Sequence, residues 1–191
     1  INYRNTKQIL QTASLIAADL LTADDKDDDD GIPLLKPISC GRDGDEPQII
    51  RLPTLRDEAK KIAELLSDVH QQGHAWGDMA IICRHYSVMD ECASALKQKK
   101  LPHQVRKSSG SFNPNSDTVK LLTMHVCKGL EFPIVVLAGV GEMPERKQDE
   151  KDEARLFYVT ATRATYKLIV AASTNAGFTE KLMQSRVRVF L

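Results

Sequence analysis

From residue 48 onward the chain alternates short apolar runs with stretches of helical period, and this alternation limits the available folds more than any other feature. Apolar runs at 48–52 and 78–84 are each followed by a segment of helical spacing, at 55–71 and 87–99. Strand, helix, strand, helix implies parallel strands joined by right-handed crossovers. The pattern continues with strands at 103–107, 118–124 and 134–139, a helix over 149–162, a final strand at 167–173, and a short helix and tail over 179–191. The loop SSGSFNPNSD separates the third and fourth strands. Upstream, Ile9, Leu10, Ala13, Ile16, Ala17 and Leu20 give 6–21 helical spacing, with Asn5 or Thr6 as its cap. The expected fold class is α/β, a mostly parallel sheet flanked by helices.

Composition narrows the function classes. A chain of 191 residues with 42% hydrophobic content suffices for one well-packed domain. Its formal net charge is zero, so any contact with nucleic acid must come from a local patch. The acidic run at 24–30 and the prolines that follow make 22–47 a mobile surface loop, solvated rather than chelating. Four cysteines without C-x-x-C spacing point to reduced thiols in a cytosolic protein, with Cys83, Cys92 and Cys127 as small packing residues. No apolar run approaches the roughly 18 residues of a membrane span, and the opening INYRNTKQIL lacks signal-peptide order, so a soluble, cytoplasmic protein is expected. His70 and His74 have the spacing of a metal pair, but Gly73 weakens a helix there and no third ligand is near; they are expected to be exposed.

Two stretches carry chemistry. The first, LLTMHVCKGLEF over 121–132, is an apolar strand running into Thr-x-His-x-x-Lys-Gly-Leu-Glu-Phe. At the carboxyl end of a strand in an α/β sheet, Thr123, His125, Lys128 and Glu131 offer a hydroxyl, an imidazole, a cation and an anion, and Gly129 permits a turn. That mixture suits a polyanionic ligand; the plainer reading is a strand with a solvated turn. The second, EARLFYVTATRA over 153–164, runs as a charged helix into the last apolar run. Arg163 at its end is a candidate cation for a phosphate, or a helix-end charge favoured by the dipole. Glu153 and Arg155 are candidates for a supporting ion pair with neighbouring motifs, or equally for an exposed pair of little energetic value. Asp152-Glu153 is not a metal-binding acidic motif, because no apolar strand precedes it. No G-x-x-x-x-G-K-[ST] occurs, so a phosphate-cradling loop is expected elsewhere.

Taken with Asn2-Tyr3-Arg4-Asn5-Thr6, these stretches resemble, in order, the fourth, fifth and sixth motifs of the UvrD/Rep/PcrA group of superfamily I DNA helicases. The resemblance implies the second RecA-like domain of such a helicase, a P-loop NTPase fold lacking the P-loop, spanning 1–191 as a fragment of a longer protein; the start at Ile1, inside a motif, agrees. It implies Arg163 and Arg4 as arginine fingers on the terminal phosphate of ATP. Tyr3, Gly129 and Glu131 would then be nucleotide contacts, Tyr3 on the adenine and Glu131 on the sugar, while Thr123, His125 and Lys128 would contact single-stranded DNA. ATP and Mg2+ would be held mainly by a missing N-terminal RecA-like domain, leaving this piece inactive alone. Relatives carry a large inserted domain where this chain has only the loop at 108–117. The competing reading is a degenerate helicase-like module that binds DNA or a partner protein without translocating.

Overall fold

The first helix begins where the sequence offers a cap: extended Thr6 accepts a hydrogen bond from the Ile9 amide at 3.3 Å and starts α1 (Lys7–Ala17). The structure, a computed structural model, describes residues 4–18, 20, 42–107, 112–174, 177–184 and 189–190. Tyr3 and most of the acidic, proline-rich stretch, residues 22–41, lie outside the described residues. The chain continues through β1 (Gln48–Arg51), α2 (Leu55–Gln71), β2 (Met79–Cys83), α3 (Tyr86–Gln98), β3 (His103–Val105) and β4 (Val119–Thr123). It then forms β5 (Phe132–Ala138), α4 (Glu150–Ala161), β6 (Ala164–Ala172), α5 (Phe178–Gln184) and β7 (Val189–Phe190). Every strand pairing is parallel, in the order β3-β4-β2-β5-β6-β1-β7.

Because side chains alternate across a strand, the central strands feed two cores. Ile82, Leu122, Val135, Leu137 and Val170 face one side and pack with Ile9 and Ala13 of α1, Phe157 of α4, and Phe178 and Leu182 of α5. Their neighbours Ile81, Leu121, Ile134, Val136 and Ile169 face the other side and pack with Ile62 and Leu66 of α2 and Leu96 of α3. The sheet is therefore covered on both faces, which is why its strands read as unbroken apolar runs.

The structure departs from the sequence-based expectation at strand ends. β2 stops at Cys83, leaving Arg84 beyond the ladder, and β6 begins at Ala164, so Arg163 stands at its entrance. The tail contributes β7, whose Ile49↔Val189 pairing extends the sheet beyond β1. His70 and His74 are half-buried rather than exposed: His70 stacks on Trp76 at 3.9 Å and shares its Nδ1 with the His74 carbonyl at 2.8 Å. Between β3 and β4, fully buried Lys120 fixes the loop, its Nζ donating to the Ser116 carbonyl at 2.6 Å and to the Thr118 hydroxyl at 2.9 Å. Burial lowers the Lys120 pKa, partly offset by Asp117.

Candidate nucleotide-facing and DNA-facing sites

Parallel strands oblige the chain to return to the amino end of the sheet before each new strand. Between β4 and β5 this return is made by residues 124–131 without a helix, passing β2, which lies between the two strands. Local turns shape it: Val126 N–H donates to the Thr123 carbonyl at 3.0 Å and Leu130 N–H to that of Cys127 at 3.1 Å. Met124 and Cys127 are buried in the same core as Ala154 and Tyr158 of α4, which holds the crossover against the sheet. Chemistry was expected at the carboxyl end of β4; instead the two halves of the motif open at opposite ends of the sheet. Thr123 and His125 belong to the carboxyl end, and Glu131 to the amino ends of β5 and β6.

At the amino ends three distant segments meet. Arg4 forms an ion pair with Glu131 at 2.9 Å, the side chains 55% and 35% exposed, so both remain within reach of a ligand. Gly129 is exposed with φ +73, a backbone setting that L side chains rarely adopt, and among the described residues no atom lies within 4 Å of where a Cβ would be. Arg163 is buried, 5% exposed; its Nε donates to the Val159 carbonyl at 3.0 Å, and its own carbonyl accepts from Phe132 N–H at 3.0 Å. Asn5 is buried, and its Nδ2 donates to the carbonyls of Thr162 at 2.7 Å and Ala164 at 2.6 Å. Arg42 donates to the carbonyls of Arg4 and Thr165. Asn5 stood in the sequence only as a motif neighbour of Arg4 and a candidate cap, and Arg42 carried no signal, because their partners are main-chain oxygens far along the chain.

At the carboxyl end Thr123 is buried, while His125 and Lys128 are exposed. Partial burial lowers the His125 pKa; the charge of Arg84 lowers it further, Glu153 opposes, and Lys128 and His85 add to the lowering. Arg84 is the residue that sequence reading missed. Its guanidinium grips Glu153 with two bonds, Nε–Oε2 at 3.3 Å and NH2–Oε1 at 2.9 Å, and also reaches Glu145 at 3.3 Å. Side-chain exposures of 10% for Arg84 and 4% for Glu153 make this a desolvated, fork-to-fork pair. Glu153 thus forms its ion pair with a neighbouring segment, the first of the two sequence-based expectations, while Arg155 lies 3.6 Å from Asp152. A signal was present: a lone cation directly after a buried apolar run stands at the strand end where α/β proteins place functional groups. His85 faces Glu142 at 3.6 Å beside it.

One buried acid sits behind this end. Glu58 of α2 is 0% exposed; its Oε1 accepts from Gly139 N–H at 2.7 Å, and Oε2 has no partner at hydrogen-bond geometry among the described residues. Burial raises its pKa; the Gly139 bond and the nearby Ser173 hydroxyl oppose this, and Glu142 adds to it. Among the described residues no group of three or more His, Cys, Asp or Glu is arranged to hold a metal ion.

Comparison with known proteins identifies the family. The model of the UvrD-like helicase C-terminal domain matches residues 1–113 and 106–175. DNA helicase II of Salmonella typhimurium is 35% identical over 100 residues, covering 48% of this chain and 14% of that protein. The ATP-dependent DNA helicase PcrA of Leuconostoc citreum is 42% identical over 72 residues, 34% of this chain and 9% of that protein. The chain thus spans only a small part of the length of these curated relatives. In fold it is similar to the C-terminal domain of a possible DNA helicase from Lactobacillus plantarum WCFS1, with a TM-score of 0.71, 18% identity and 99% of both chains covered. The parallel sheet, the three converging segments and the family match lead to one assignment: this chain belongs to the UvrD-like helicase C-terminal domain family.

Proposed function

We propose that the chain is the C-terminal motor domain of an ATP-dependent DNA helicase, a second RecA-like domain working against an N-terminal RecA-like domain that holds most of the ATP and its Mg2+. In this reading Arg163 and Arg4 stabilise the charge that gathers on the transferred phosphoryl group. Glu131 accepts from a sugar hydroxyl, Gly129 lets the main chain approach, and Tyr3 stacks on the base. Thr123, His125 and Lys128 touch the backbone of single-stranded DNA, a contact that needs no reading of sequence. The observation that carries the proposal is the meeting of Arg4 with Glu131 and the Arg163 turn at the amino ends of β5 and β6, Arg4 coming from more than a hundred residues upstream of the other two.

Burial of Arg163 favours the second reading. A guanidinium that stays closed on the Val159 carbonyl does not reach a neighbouring phosphate, and the chain would then be a helicase-like module that binds DNA or a partner without translocating. Turnover of the longer protein that contains this chain separates the two. In the motor, Arg163→Ala lowers ATP turnover by about 10³-fold or more while DNA affinity stays close to that of the parent. Arg163→Lys rescues little, since it keeps the charge but loses the planar fork. Near-parental turnover in Arg163→Ala would favour the non-translocating module.

A further inference from the structure

We propose that Asn5 is a positioning residue that fixes the Arg163 turn against Arg4, so that the two guanidinium groups act as one unit. The inference rests on the reading of Arg4 and Arg163 as phosphate-facing cations. Asn5 is not the helix cap, because Thr6 fills that role for α1, and its amide is left for the turn. Its two N–H groups reach the two carbonyls that flank Arg163, Thr162 O at 2.7 Å and Ala164 O at 2.6 Å. The opposite amide orientation would press Oδ1 against two carbonyl oxygens, so these partners fix which way the group points. At 1% exposure the bonds have little competition from water.

The main chain at Arg163 is thereby held on three sides: by Asn5 before it and after it, and by Phe132 N–H on its own carbonyl at 3.0 Å. Arg4 is joined to Asn5 through the chain, and Arg42 ties the Arg4 carbonyl to that of Thr165, closing the same loop from outside. A merely structural asparagine would satisfy buried carbonyls wherever they lay. This one brackets a single cation while its sequence neighbour is the other, which makes their separation a property of the Asn5 amide.

The test has two parts. On this chain, hydrogen exchange by NMR is compared between parent and Asn5→Ala at Arg163 Nε–H, at Phe132 N–H and at Ile81 N–H in the centre of β2. Exchange at the first two positions should rise about tenfold or more while Ile81 is unchanged, the signature of local rather than global opening. No rise, or an equal rise everywhere, overturns the proposal. Should Asn5→Ala fail to fold, Asn5→Ser, which keeps one donor, is read in the same way. In the longer protein, Asn5→Ala should lower kcat about tenfold to a hundredfold with KM for ATP changed less than about twofold, the mark of a misplaced group rather than lost binding. On an Arg163→Ala background the same change should have almost no further effect; full additivity overturns the proposal. If Arg163→Ala alone leaves turnover intact, the phosphate-facing reading fails, and the exchange result still decides whether Asn5 sets this turn.

Discussion

Arg84 and Glu153 meet in a desolvated pair, and pairs of this kind are expensive to break from one side. Arg84→Ala strands the Glu153 carboxylate with little but the Glu145 amide, at 3.4 Å, to compensate; a loss of about 3 kcal/mol in urea unfolding is expected. Arg84→Met together with Glu153→Leu should recover most of it, because removing both charges removes the stranded one. Glu58 gives the opposite case, an acid held at a pKa above its ordinary 4.5. A raised pKa in the fold means that its favourable contribution is complete below about 4.5 and is lost as pH climbs through the folded value. Glu58→Gln keeps an acceptor for Gly139 and cannot ionise, so its stability relative to the parent should increase with pH above 4.5. Thermal melts across pH 4 to 8 check this; a difference independent of pH would show that the Glu58 pKa is the same in the folded and unfolded states. Arg84 left a trace in the sequence as a cation at a strand end, and Glu58 left none. An arginine at a strand end and a glutamate in the first turn of α2 are ordinary in sequence, and only the distant partners Glu145, Glu153 and Gly139 make them unusual.

Helices and strands were legible where period and caps agreed. α2 spans Leu55–Gln71 as its spacing dictates, with the Thr54 hydroxyl accepting from Asp57 N–H at 3.1 Å. β7 was not legible, because two residues carry no periodicity and their pairing with β1 is set by tertiary position. The 3-10 turn Val140–Glu142 was also missed: its entry depends on Gly139 at φ +76, visible in sequence only as one more glycine after an apolar run. A Cβ at Gly139 would lie 2.8 Å from the Val88 side chain in a left-handed setting. Gly139→Ala should therefore cost about 2 kcal/mol or more by chemical denaturation, combining backbone strain with a clash in the core. Because this turn also carries Glu142 towards His85 and leads to Glu145 at Arg84, ring signals of His85 should shift in the same variant.

The candidate site was legible as residue types in order, but not as two separate places. Sequence puts Thr123 and Glu131 eight positions apart, and only the crossover between parallel strands shows that they face opposite ends of the sheet. The zero net charge has a related consequence, since on the proposed reading any attraction to DNA must rest on local cations. His125, with its pKa below the ordinary 6.5, is mostly neutral at pH 7. If the proposed contact set is Thr123, His125 and Lys128, with Lys128 its charged member, binding of a labelled single strand by the chain should be weak at pH 7, with a log–log salt slope near −0.7. As pH falls through the lowered His125 value the slope should steepen towards about −1.4, and His125→Ala should abolish that change. Fluorescence anisotropy at several salt concentrations and pH values measures it; a slope already steep at pH 7 would place the DNA surface elsewhere.

The crossover 124–131 is short, helix-free and pinned at its middle by Cys127 in the core. In the proposed motor its two ends answer to different ligands, which makes it a transmission rod between them. A rod of this kind obeys reciprocity: whatever factor bound nucleotide applies to the grip on DNA, DNA must apply to the grip on nucleotide.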